Sequence, residues 1–184
     1  MSAEAICEAV EDRLRQQHQG HPTIYRREFG ICVGAGRVDV AAVNGAITAC
    51  EVKSVADGLS RLPGQAERYG QVADYAILAV ERRHPERVAA LVPDWWGVWH
   101  AVRQEGTVTL KVLRHPMPNP SVNPLAVAQL LWRAEALEVL QRRRLQKGLL
   151  TATRWRLWER LAEELPLQEL REEVRVALKA RREW

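Results

Sequence analysis

Eleven residues separate Asp39 from the tripeptide Glu51-Val52-Lys53. Two carboxylates and an ammonium suit the hydrolysis of a phosphodiester, which needs an activated water, an in-line approach and neutralised charge on the phosphate. Mg²⁺ held by one or two carboxylates supplies much of this, because it takes hard oxygen ligands and keeps waters that can attack. Asp39 and Glu51 are the expected ligands, with the Val52 carbonyl beside them and Mn²⁺ as a substitute ion. Lys53 is expected to orient the water or to meet the negative charge of the transition state. The lysine stands out because only four of the 27 basic residues are lysine. A compact ammonium meets a water or a phosphoryl oxygen as a point charge, where a planar guanidinium is bulkier.

Glu-x-Lys is a short pattern whose everyday meaning is a solvated ion pair at a strand end. The local geometry tests the chemical reading. Gly36 to Lys53 reads as two short strands joined by Asn44-Gly45, a strong hairpin signal. Side chains alternate along a strand, so Glu51 and Lys53 share a face with Ala49. A two-residue loop would pair Val43 with Ala46 and set Asp39 opposite Cys50, on the wrong face. A three-residue loop, Val43-Asn44-Gly45 with Gly45 left-handed, pairs Ala42 with Ala46. Asp39 then faces Ala49 and lies diagonal to Glu51, within reach of a shared ion. A common metal therefore predicts a bulge at Gly45 or a strand bent near Asp39.

Around this hairpin the pattern predicts a helix over 2–19, a strand over 23–33, and a turn at Gly34-Ala35-Gly36. After the hairpin come a helix from Arg61 or Leu62 to about Val72, a buried strand over 74–80 and a short helix from His84-Pro85. Two final strands, 96–102 and 108–113, turn at Glu105-Gly106. The order is α-β-β-β-α-β-α-β-β, an α/β sandwich around a mixed sheet over residues 1–115. Pro116, Pro118 and Pro120 predict an extended linker over 116–123. Beyond it the pattern is helical only, over 124–184. Asn123 caps a helix reaching Gly148, a second runs from about Thr153 to Leu165, and a third begins near Pro166. So small a helical unit buries a modest core, so it is expected to pack on the first unit, on a second copy or on another protein.

The 184 residues are 47% hydrophobic and 27% charged, an ordinary balance for a soluble protein. No apolar run is long enough to span a membrane, and the N-terminal stretch lacks a cationic start, so a cytoplasmic protein is expected. Cys7, Cys32 and Cys50 have no metal-ligand spacing and read as core residues in a reducing compartment. A net charge of +4 permits nucleic-acid binding.

With these elements in place, Asp39 and Glu51-Val52-Lys53 on a hairpin after a helix and a strand resemble the PD-(D/E)xK nuclease superfamily. Val38 stands where the proline that names the motif would be. Gln65-Ala66-Glu67-Arg68-Tyr69 resembles the QxxxY element of RecB-type exonucleases, in which the glutamine lies beside the metal. The likeness covers about residues 24–102. It implies a restriction-endonuclease-like core, Mg²⁺-dependent cleavage of DNA, and catalytic roles for Asp39, Glu51, Lys53 and Gln65. It also implies a further acid from the first strand or helix, with Glu28 the first choice and Glu8 the second. Arg37, Arg61 and Tyr69 are expected to face the nucleic acid.

Arg142, Arg143, Arg144, Lys147, Arg154 and Arg156 make the helical region locally basic. They read as phosphate contacts, against a solvated helix face with pairs to Glu138 and Glu159. Two other functions fit the same residues: a nucleic-acid-binding scaffold that keeps the fold without catalysis, and a nuclease subunit or toxin that works only with a partner.

Overall fold

The computed structural model describes residues 1–184. Helix α1 (Ala3–Gln17) is capped by the Ser2 hydroxyl, which accepts from the Ala5 N–H. Strands β1 (Ile24–Ile31), β2 (Gly36–Val43) and β3 (Ile47–Lys53) follow, then α2 (Leu62–Val72), β4 (Tyr75–Val80), α3 (Pro85–Ala89), β5 (Gly97–Gln104) and β6 (Thr107–Arg114). The six strands form one mixed sheet in sequence order. β3–β4 and β4–β5 are parallel and the other neighbours antiparallel. The α/β architecture with helices on both faces is the one the sequence pattern implies.

Each face has its own cover. Ile6, Cys7, Val10 and Leu14 recur at helical spacing on α1 and bury against Val40, Cys50, Val52, Ile77 and Trp99. The other face carries Ala41, Val43, Ile47, Ala49 and Leu78, and packs under α2 and the C-terminal helices in one continuous core. That segment holds four helices: α4 (Pro124–Ala128), α5 (Arg133–Arg142), α6 (Arg154–Glu164) and α7 (Leu167–Ala180).

The helix expected over 124–148 is therefore broken. Leu130 and Leu131 turn inward, with Leu131 N–H donating to the Ala128 carbonyl in a tightened last turn. A new helix starts after Trp132, whose N–H donates to the Glu135 carboxylate at 2.7 Å. That is half of a capping box, concealed in the sequence because tryptophan is not a capping residue. Arg144, in the left-handed region at φ 60°, follows the end of α5 before Gly148 is reached.

The proline-rich stretch has no helix or strand, yet it is strapped to the core. Asn119 donates from its side chain to the Gly70 and Ala73 carbonyls at 2.8 Å each. Pro116 lies so close to Gly97 that a Cβ there would meet the proline Cδ at 2.8 Å. At the β5–β6 turn, Glu105 and Gly106 both have positive φ, the backbone that a tight two-residue hairpin requires. No helix is long and apolar enough to cross a membrane.

Candidate functional site

The hairpin settles its register differently from either expected loop. Val43 pairs with Ile47 and Val40 with Cys50, so the loop is Asn44-Gly45-Ala46. The Asn44 side chain closes it, accepting from the Ala46 N–H at 3.0 Å. Gly45 is not left-handed, and the expected bulge there is absent. One step beyond Val40–Cys50, this register sets Asp39 directly opposite Glu51. Both acids reach the same cavity.

The bend lies at Asp39 itself. Val38 belongs to the core under α2 and Val40 to the core under α1, although alternation would keep both on one face. β2 turns over between them. The neighbouring strand turns over at the same level: Glu28 has φ 55°, between the pairs Arg27–Val40 and Phe29–Val38. A left-handed non-glycine costs about 1–3 kcal/mol. The β2–β3 ladder ends here, and the Asp39 carboxylate takes over, accepting from the Val52 N–H at 2.7 Å.

Glu51 sits at the centre of the cluster. One of its oxygens accepts from the Lys53 ammonium and the other from the Tyr69 hydroxyl. Lys53 also donates to the Gln65 side-chain oxygen at 3.0 Å. Glu51 is 1% exposed and Lys53 5%, so this is a buried pair and not a solvated one at a strand end. Helix α2, with Pro63 in its first turn, presents Gln65, Arg68 and Tyr69 along one side, as i, i+3, i+4 spacing requires. Tyr69 stacks on Trp96 with ring centres 5.4 Å apart, which fixes its hydroxyl over Glu51.

Burial raises the Asp39 carboxyl to about 6, and the charge of Glu51 adds to this; the Val52 N–H and Lys53 offset part of it. Burial and then the Glu51 charge push the Tyr69 phenol far up, so it stays a donor. Asp57 goes the other way. The Ser54 hydroxyl holds its carboxyl low against partial burial, helped by the Ser54 N–H and by Lys53.

These groups line a cavity of about 310 Å³ between the α1 N-terminus, β2, β3 and α2. Arg37 and Arg61 lie on it. So do Arg68 and Asp57, which sequence reasoning missed. The signal for Arg68 was its place in the helical turn between Gln65 and Tyr69; for Asp57 it was a serine three residues earlier. Glu28 is exposed, pairs with the Arg37 guanidinium at 2.5 Å and does not line the cavity. Glu8, on the exposed side of α1, does not line it either.

None of the C-terminal basic residues lines this cavity. Arg142 pairs with Glu138 and Glu173, Arg143 with Glu169 and Glu173, and Arg156 with Glu159. Arg154 lies over the Trp158 ring. Arg144, Lys147 and Arg154 have no carboxylate partner.

A cation here would have Asp39 and Glu51 as its carboxylates, since no three acidic, histidine or cysteine side chains gather at one point. Two carboxylates with waters and a substrate phosphate completing the shell are what Mg²⁺ commonly accepts. The donors are open to it. Asp39 Oδ1 takes no hydrogen bond from the protein. Glu51 has about four lone-pair sites, of which two are used.

The fold and site thus define an α/β protein with a six-stranded mixed sheet between helices and a buried acid–lysine cluster where its first hairpin opens. Residues 3–183 match the family model described as Bacteriophage P4 protein cII, and the chain belongs to that family. It matches no curated protein and no solved structure.

Proposed function

We propose that the protein is a metal-dependent nuclease acting on DNA. The observation that carries the reading is the meeting of Asp39, Glu51, Lys53 and Gln65 in one cavity, from three separate elements. The order α1-β1-β2-β3-α2-β4 supports a restriction-endonuclease-like core, with acids on its second and third strands and a glutamine on the helix after them. Asp39 and Glu51 would hold Mg²⁺, which when bound supplies charge neutralisation at the phosphate and acidifies its water. Gln65 and Glu51 hold the Lys53 ammonium at the cavity, where it can donate to a water or a phosphoryl oxygen. Tyr69 fixes the Glu51 carboxylate so that little reorganisation is needed during reaction.

The test is incubation with circular and linear DNA, single- and double-stranded, and with RNA, in Mg²⁺ or Mn²⁺ against EDTA. Cleavage by the wild type and its loss in Asp39→Ala, Glu51→Ala and Lys53→Ala, with each variant folded, is the expected result. Undiminished cleavage by Glu51→Ala refutes the reading.

One observation favours a second reading. Both Glu51 oxygens already have protein partners, so the cluster could serve structure alone in a nucleic-acid-binding module. Calorimetry with Mn²⁺ separates the two: no binding that depends on Asp39 and Glu51 favours the module.

A further inference from the structure

The cavity holds four cations, and they differ in what they already touch. Lys53 is engaged by Glu51 and Gln65, and Arg37 by Glu28, while Arg61 is unpaired but exposed. The guanidinium of Arg68 makes no hydrogen bond and no ion pair, and its Nε is buried without a partner. A buried donor without an acceptor is costly, and a guanidinium is shaped for the paired oxygens of a carboxylate or phosphate. The acids of the cavity do not serve it. Asp39 is bound by Val52, Glu51 by Lys53 and Tyr69, and Asp57 by Ser54.

The position of Arg68 is built. Its stem lies against β2 at Gly36, where a Cβ would come within 3.1 Å of Arg68 Cδ and 2.9 Å of Ile31 Cγ1. Its terminal nitrogens lie beside Gly64, about where a Cβ would stand 3.6 and 3.7 Å away. Gly36 thus leaves room for the arginine stem, while at Gly64 a side chain would make only ordinary contact with the guanidinium. It sits one residue before Tyr69 and one turn after Gln65, both of which touch the acid–lysine cluster.

We infer that Arg68 is a phosphate-contacting residue: its guanidinium receives the phosphodiester group lying against the Asp39–Glu51 pair, with Arg61 at the helix start taking a neighbouring phosphate. The identity of the ligand rests on the proposed nuclease reading. The contact itself is sequence-independent and electrostatic, so it leaves a signature in salt dependence.

The experiment is fluorescence anisotropy with a labelled duplex oligonucleotide in Ca²⁺, over a series of salt concentrations, for the full chain and for Arg68→Gln and Arg68→Lys. Arg68→Gln is expected to weaken binding about tenfold and to lower the slope of log affinity against log salt by about one, with unchanged thermal unfolding. Arg68→Lys keeps the charge and is expected to keep the slope while losing part of the affinity. Unchanged affinity and slope in a folded Arg68→Gln overturns the inference, whether or not the wild type cleaves. If Arg68→Gln does not fold, an Arg68→Lys variant that binds with wild-type affinity overturns it instead. A wild type that cleaves nothing in Mg²⁺ or Mn²⁺, yet shows the Arg68 effect on binding, rejects the nuclease reading and leaves the phosphate contact standing.

Discussion

The carboxylate of Asp39 and the amide of Val52 are joined at 2.7 Å across the point where the β2–β3 ladder ends. One side chain therefore closes the open end of a hairpin and faces the cavity. Asparagine keeps the acceptor and its place at the cavity but lacks the negative charge. Asp39→Asn is expected to unfold in urea at or above the wild-type midpoint, because it keeps the acceptor and removes a charge facing Glu51. Asp39→Ala leaves the Val52 N–H unpaired and is expected to lose about 1–3 kcal/mol. If the proposed metal-dependent cleavage takes place at this cavity, both should lose it by about a hundredfold or more.

Tyr69 offers a cleaner separation of ring from hydroxyl. Tyr69→Phe keeps the stack on Trp96 and removes the donor to Glu51. The buried carboxylate then has one partner fewer, at a cost of about 1–3 kcal/mol. Urea unfolding should show that loss. The proposed cleavage should fall by about tenfold, since Lys53 alone would then hold the Glu51 carboxylate.

The pH dependence of α1 docking follows from Glu11. Its carboxylate accepts from Arg27 on β1 at 2.8 Å and from Arg15 one turn on. Partial burial pushes its pKa up, but the hydrogen bonds of Arg27 and Arg15 outweigh this and hold it below the usual value. A depressed carboxyl stabilises the fold above its ordinary range and ceases to do so as pH falls through the lowered value. Glu11→Gln should therefore be less stable than wild type by about 1 kcal/mol at neutral pH. The difference should shrink and then vanish as pH falls through the lowered value, where both states are protonated. A gap that persists in acid would assign the effect to packing.

The contact of Gly97 with Pro116 is tested by one methyl group. Gly97→Ala puts a carbon 2.8 Å from the proline Cδ and 2.9 Å from its nitrogen, neither of which is a flexible end. The urea midpoint should fall by an amount equivalent to about 1–3 kcal/mol. The cavity at Asp39 should be untouched, so oligonucleotide binding by the folded variant should match wild type.

Strand alternation placed Glu51 and Lys53 on one face, and the resemblance brought Asp39 and Gln65 to them; Tyr69, expected to face nucleic acid, is instead buried between Glu51 and Trp96. The register was not legible in the sequence. It is set by Asn44 folding over its own loop, and by Asp74, whose carboxylate and N–H both bind Ile47 from 27 residues away. No local rule contains that contact. The reversal at Asp39 was hidden for a similar reason. It needs Glu28 and Asp39 to turn over together on two strands, and each looks ordinary alone. The break at Leu130–Trp132 escaped notice because the apolar spacing runs through it, while the inward turn of Leu131 depends on partners in α6. Arg68 was not singled out, because only the folded cavity shows that nothing neutralises it.

The sheet face beneath the hairpin shares one core with α2 and with helices α4 to α7. Those helices are therefore not an exchangeable recognition module. A fragment ending before Asn123 would present Ala41, Val43, Ile47 and Ala49 as part of an apolar surface with much of its cover gone, and such surfaces aggregate. Grafting a different helical unit would strip the cover from the core that α2 and the sheet share, so a change on these helices would have to come by replacing exposed side chains on helices that stay in place.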